Sequence, residues 1–215
     1  MSSTPRTDGA QPAPLPAGES QRLAALRQYR LLDTLPEAVY DDLAFIASQI
    51  CQTPIALVSL IDDQRQWFKA RIGLEATETP RDIAFCAHAI LDPQAVMQVP
   101  DTRLDERFAN NPLVTSAPGI RFYAGVPLVT PDGHAIGTLC AIDQQPRQLS
   151  DGQLRALQAL SREVMVQLEL RRTIVTLEQE LSSARSGRRP STARDADDRL
   201  RVMLERMQQL QQRPR

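Results

Sequence analysis

The chain has 215 residues, of which 42% are hydrophobic, and a formal net charge of −1. That length accommodates one ample domain or two small ones, and the apolar share supports a real core. No apolar run reaches the roughly eighteen residues of a membrane-spanning helix, and the Pro-rich polar start lacks the apolar region of a signal peptide.

The near-neutral balance hides an asymmetry. Residues 19–170 carry a net charge of −6, and residues 171–215 carry +5. An acidic body argues against nucleic-acid binding by the folded part. The arginines of the basic tail are scattered rather than clustered with aromatic residues, as on a solvated helix surface. Cys51, Cys86 and Cys140 are odd in number and sit within apolar segments. They read as reduced thiols of a cytoplasmic protein rather than as a disulfide framework.

In chain order, residues 1–18 contain four prolines and two glycines with little apolar mass, and are expected to form a disordered leader. Leu23, Leu26 and Leu32 mark a helical stripe over 21–32. A second helix is expected over 37–51, with Thr34 placed to cap it and Leu43, Ile46, Ala47 and Ile50 facing inward. Ile55–Ile61 reads as a buried strand, and 66–72 as its hairpin partner after Asp62-Asp63. Residues 73–80 form a polar loop, 81–91 a short helix and 96–100 a brief strand. Two further strands, 121–130 and 135–143, flank Pro131-Asp132-Gly133, where Pro and Asp start a turn and Gly supplies the positive φ that closes it. A long helix starts at Ser150, with Leu154, Leu157, Leu160, Val164 and Leu168 on its buried face. Strands clustered in the middle with helices outside predict an α+β domain with an antiparallel-rich sheet.

Three stretches carry a family resemblance. Asp105–Val114 reads D-x-RF-x-x-NPLV, Ile120–Leu128 reads IRFYAG-x-PL, and Gly133–Asp143 reads G-x-x-x-GTLC-x-ID. Together they closely resemble the GAF domain, a small-molecule-sensing module of bacterial signalling proteins, and the likeness extends from about Glu19 to Arg172. It implies a central antiparallel sheet with the N- and C-terminal helices on one face. Short helices and loops would cover a pocket on the other. The ligand would lie between the sheet and the segments 81–91 and 101–114, where the inward candidates are Phe85, Cys86, His88, Asp101, Phe108, Asn110, Arg121 and Tyr123. Arg121 is suited to clamp a carboxylate or phosphate with parallel donors, or else to pair with Asp101 or Asp105 and hold the loop. Asn110 fixes an amide in one reading and is turn chemistry in the other.

The motifs of other GAF branches are missing. Cys86 and His88 are too few for zinc, because His134 stands on a distant turn. Bilin-binding members often have a histidine directly after the linking cysteine, whereas Ala87 intervenes here; haem through His88 is equally disfavoured. The lysine-containing cyclic-nucleotide motif has no counterpart, because Lys69 is the sole lysine. The cysteines do not match the pattern of the GAF-fold reductase that acts on free methionine sulfoxide.

These features define a sensory and regulatory module rather than an enzyme, binding an unidentified small molecule and signalling through its C-terminal helix. The alternatives are a ligand-free scaffold for dimerisation and docking, and a thiol-based redox enzyme or sensor. Residues 171–215 hold no histidine and are too short for a cyclase or ATP-binding domain. The output would therefore pass to a separate kinase or cyclase, or the chain is part of a longer sensor. Leu170, Ile174, Leu177 and Leu181 follow heptad spacing, and Leu200, Met203, Met207 and Leu210 resume it after a break over 182–196. With the pairing of terminal helices common in the family, this predicts a homodimer. In this reading Arg121→Ala weakens ligand binding and leaves the fold intact, which a thermal melt beside a binding assay checks.

Overall fold

Ile55–Ile61 and Ala135–Asp143 are buried at every position, as strands covered on both faces must be. The structure, a computed structural model, describes residues 9–185 together with 201, 202 and 205. These two stretches, β1 and β6, pair antiparallel at the centre of a six-stranded sheet. On one side follow β2 (Arg65–Ile72) and β3 (Glu78–Pro80); on the other, β5 (Phe122–Val129) and β4 (Met97–Val99). The α+β class and the antiparallel sheet are as the sequence implies. The end of the expected loop over 73–80 is itself the edge strand β3.

The hairpin between β5 and β6 closes as its residues dictate. Gly133 has φ 89°, and Thr130 and His134 bond across the turn. Gly137 serves a different end. A Cβ there would lie 1.9 Å from the Ser59 carbonyl oxygen and 2.9 Å from the Leu60 Cα. Only glycine lets β6 approach β1 this closely.

Three helices cover one face: α1 (Glu19–Gln28), α2 (Ala38–Cys51) and α5 (Asp151–Arg185). The inward stripe of α2 is Tyr40, Leu43, Ala44, Ala47, Ser48 and Cys51, spaced as one helical face. Its small residues seat the helix close to the sheet. Ile46, expected inside, is 41% exposed beside Phe45 at 52%, and Ile50 is half-buried. Thr34 does not cap α2. It donates to the Leu31 carbonyl and accepts from Lys69 Nζ, which also bonds the Leu35 carbonyl and Glu37. The lysine side chain is wholly buried, and a buried ammonium needs that many acceptors.

Along α5, Leu157, Val164 and Leu168 are buried, and Ser161 Oγ donates to the Pro127 carbonyl at 3.0 Å. Past Leu168 the helix runs on to Arg185, with Ile174, Leu177 and Leu181 at 56%, 47% and 61% exposure. The helix is intact where its break was expected to begin. Gly187, Pro190 and the second stripe at Leu200, Met203, Met207 and Leu210 lie outside the described residues.

The other face carries shorter pieces. The helix expected over 81–91 is a 3₁₀ turn at Arg81–Ile83, an extended Ala84, and α3 (Phe85–Ala89). A 3₁₀ turn at Thr102–Leu104 and α4 (Pro112–Thr115) follow β4. Of the expected disordered leader, residues 1–8 lie outside the described residues, while 9–18 make defined contacts with this side of the domain. Ala13 packs against its core, and the Gln11 carbonyl lies 3.0 Å from His88 Nε2.

Gly137→Ala is expected to destabilise the domain by about 3 kcal/mol or more, because the clash is with main chain rather than a movable side chain. Urea denaturation followed by circular dichroism measures it, and a loss under about 1 kcal/mol would contradict the close strand approach.

Candidate functional site

The sheet separates two cores. Alternation along β5 sends Phe122 and Ala124 to the helix side and Tyr123 to the other. On β6 the neighbours Leu139 and Ala141 join the helix side, while Cys140 and Ile142 face the short helices.

Five of the sequence candidates meet on that second face. Phe85 stacks on Phe108 with ring centres 4.0 Å apart and planes 13° from parallel. Tyr123 lies 5.3 Å from Phe85, and His88 sets its edge against Phe108 at 4.9 Å. The Tyr123 hydroxyl donates to Cys86 Sγ at 3.3 Å. Gly125 makes room for this: a Cβ there would fall 2.1 Å from the Tyr123 hydroxyl oxygen. The tyrosine therefore folds along its own strand over the glycine two residues on. Cys86 Sγ in turn lies 3.8 Å from Cys140 Sγ.

Asp101, Asn110 and Arg121 do not join the cluster. Asp101 caps the 3₁₀ turn and pairs with Arg103 at 2.6 Å. Arg121 donates to the Val114 and Ile120 carbonyls at 2.8 and 2.9 Å, and Arg107 is the partner of Asp105. Arg121 thus bonds the loop through backbone oxygens rather than pairing with either acid, while its charge still reaches Asp101. Asn110 is exposed, whereas its neighbour Asn111 is buried. Asn111 donates to the Ile83 carbonyl at 3.0 Å and caps α4 by accepting from the Leu113 amide. It ties the α4 loop to the segment leading into α3.

Two residues at the floor escaped the sequence reading. Ser59 and Thr138 pair directly across β1 and β6, are fully buried, and have hydroxyls that lie beside the Cys86 sulfur without forming a hydrogen bond of ordinary geometry among the described residues. Buried polar atoms are normally bonded, and leaving one unpaired costs about 1–3 kcal/mol. The signal was present as single polar residues inside apolar strands, in LVSLI and IGTLC.

Electrostatics follow from this packing. Burial pushes the Cys86 thiol up, but the neighbouring Cys140 thiol and the hydroxyls of Thr138, Tyr123 and Ser59 outweigh it and bring it below the ordinary thiol range. Cys140 is held well above the ordinary thiol range by Cys86 beside it and by burial. Burial chiefly keeps Tyr123 protonated and able to donate. His88 is pushed below the usual imidazole range by burial and the charge of Arg107, against the pull of the Gln11 carbonyl and Asp105. Cys51 stands apart on the helix side, raised to about 11 by burial.

This architecture can be compared with known proteins. The GAF domain family model matches residues 35–168, more than half of the chain, and the chain belongs to that family. It is 44% identical over 161 residues to a cyclic di-GMP phosphodiesterase of Pseudomonas aeruginosa, a match covering 74% of this chain and 27% of the relative. The chain thus spans about a quarter of that protein's length. Among solved structures it is similar to the GAF domain of an Acinetobacter phosphoenolpyruvate-protein phosphotransferase, with TM-score 0.52, 15% identity, 73% of this chain and 98% of the other. The chromophore-binding domain of an unusual bacteriophytochrome from R. palustris matches with TM-score 0.52 and 16% identity, over 75% of this chain and 65% of the other. At such identities these two likenesses show the fold alone.

The bracing contacts make a testable contrast. Asn111→Ala is expected to cost about 2 kcal/mol by leaving a buried carbonyl and an amide unpaired, while Asn110→Ala stays within about 0.5 kcal/mol. Arg121→Ala is expected to lower stability by about 1–2 kcal/mol without unfolding the domain. Chemical denaturation of the three variants reads all of these.

Proposed function

We propose that this chain is a regulatory GAF module that seats a small molecule on the sheet beneath α3 and the Phe108 loop. In this reading α5 reports occupancy to a partner, and the chain acts by binding rather than catalysis. The observation that carries the reading is the polar floor under an aromatic cover. Ser59 and Thr138 offer hydroxyls held only weakly by sulfur, beside the Tyr123 hydroxyl and the Cys86 thiol. A core built only to be filled has no use for hydroxyls so poorly bonded, whereas a polar ligand group satisfies them. The proposed binding set is therefore Phe85, Cys86, His88, Phe108 and Tyr123 with Ser59 and Thr138. Asp101, Asn110 and Arg121 frame it.

Transmission has a short route. β5 and β6 present Tyr123 and Cys140 to the site, and Phe122, Leu139 and Ala141 to the core against which α5 packs. A ligand that parts Phe85 from Phe108 shifts the strands on which α5 rests. It moves the balance only by its differential affinity for the two arrangements, typically about 1–3 kcal/mol.

The partner in this proposal is a separate kinase, a cyclase, or an enzyme of cyclic di-GMP turnover. Similarity to part of a cyclic di-GMP phosphodiesterase supports the last of these. Three free buried cysteines support a reducing, cytoplasmic setting, and no described helix is long and apolar enough to cross a membrane. The exposed stripe of Ile174, Leu177 and Leu181 supports pairing of two α5 helices in a homodimer.

A second reading rests on how well the aromatic cover already fills the site. Phe108 and Tyr123 are fully buried, as befits a ligand-free scaffold that acts only by dimerisation and docking.

Native mass spectrometry of reduced full-length protein separates the two. The sensor reading expects a mass excess that vanishes on denaturation and is lost in Ser59→Ala/Thr138→Val. A bare dimer supports the scaffold, and an excess unchanged by the double substitution overturns this site. Leu177→Glu/Leu181→Glu is expected to convert dimer to monomer by light scattering.

A further inference from the structure

Cys86 and Cys140 belong to different elements, the first turn of α3 and the middle of β6, yet their sulfurs lie 3.8 Å apart. Bond formation requires closing that gap to about 2.05 Å, and Cys86 rides on a helix of only five residues. The surroundings treat the two sulfurs unequally. Cys86 receives the Tyr123 hydroxyl, and the Ser59 and Thr138 hydroxyls lie beside it, with Thr138 also reaching Cys140. Such donors stabilise negative charge on Cys86, while Cys140 keeps its proton. One thiolate beside one thiol is the arrangement of an attacking and a resolving cysteine.

We propose that Cys86 and Cys140 form a reversible disulfide when the protein meets a small hydroperoxide, making this buried pair an oxidation site. With hydrogen peroxide, the Cys86 thiolate attacks one oxygen, forming an S–O bond and breaking the O–O bond to leave a sulfenic acid; the expelled hydroxide takes up the proton Cys86 had lost and leaves as one water. The Cys140 sulfur then displaces that oxygen, which departs as a second water with the Cys140 proton. The pair loses two electrons and hydrogen peroxide gains them. A dithiol reductant restores both thiols by exchange.

Burial fixes the oxidant class. Both sulfurs are at most 1% exposed, so a bulky disulfide such as oxidised glutathione is shut out, whereas hydrogen peroxide enters on a local opening of the Phe85–Phe108 cover. The new bond staples α3 to the strand that carries Leu139 and Ala141 beneath the helix layer. It therefore reaches the same strands as the proposed ligand, but the chemistry requires no ligand. Native mass of reduced protein tests the ligand, and thiol counting tests the pair, so either idea can fail alone.

Full-length reduced protein is treated with hydrogen peroxide, quenched with catalase, denatured and labelled with N-ethylmaleimide, and its intact mass is read. Untreated protein is expected to take three labels, one for each free cysteine. Oxidised protein is expected to take one, on Cys51, and to recover three after dithiothreitol. Peptide mapping should join Cys86 to Cys140 within one chain. Oxidation should slow as pH is lowered, because protonation of Cys86 removes the attacking thiolate. Cys140→Ser should stop at a dimedone-reactive Cys86, and Cys86→Ser should keep all its remaining labels at the same dose. Three labels retained by the wild type at doses that oxidise free glutathione would overturn the proposal. So would loss confined to Cys51, or cross-links only between chains. The wild-type map decides the question even where a variant fails to fold.

Discussion

The close approach of β6 to β1 is the contact on which the rest depends. Each strand has a local hairpin partner, β2 for β1 and β5 for β6, and those pairs need only short turns. Joining the two halves brings together residues some eighty positions apart, such as Leu57 and Cys140. Without that junction neither half encloses a core. Gly137 permits it by leaving no side chain between the backbones. The junction also places Ser59 opposite Thr138, so the contact that completes the sheet creates the polar floor of the site.

From this centre the molecule divides into two differently built layers. The helix side is held by long regular elements and by polar clamps at its rim: Lys69 among Thr34, Leu35 and Glu37, and Arg171 on Glu37. Tyr29 reaches Glu169 across the same layer. The opposite layer consists of turns and helices of three to five residues. Too short to be stable alone, these are fixed by individual bonds: Arg121 to two carbonyls, Asn111 to Ile83, Arg81 to Glu19. A layer made of single bonds rearranges more cheaply than one of continuous helix. The proposed site lies under the more adaptable layer.

The sequence was most legible where one residue acts through the backbone. Gly133 closed its hairpin as expected, and the apolar runs 55–61 and 135–143 became strands with the expected bounds. Legibility failed where a side chain has several possible partners. Arg121 was read as an anion clamp or an acid's partner, and it took carbonyls because Asp101 and Asp105 each have an arginine two residues away. Asn110 and Asn111 are adjacent and alike in type, and the turn geometry alone decides which is buried. Ile46 shows a further limit. Its hydrophobicity fits an inward face, but Ala44 and Ala47 define a closer-packed stripe that leaves it outside. The Tyr123–Gly125 relation, by contrast, was open to reading, since residues two apart on a strand share a face.

The overhang of α5 has a mechanical consequence. From Arg172, the last residue held against the domain by Tyr29, to Arg185 the helix projects by roughly 20 Å at 1.5 Å per residue. A rigid rod anchored at one end amplifies rotation at its base, so a tilt of about 5° carries the tip about 2 Å sideways over that projection. A displacement too small to reshape the sheet thus becomes, at the far end, a shift comparable to a fraction of a helical turn. In a pair of such rods side by side, that is enough to misalign one row of side chains with its neighbour.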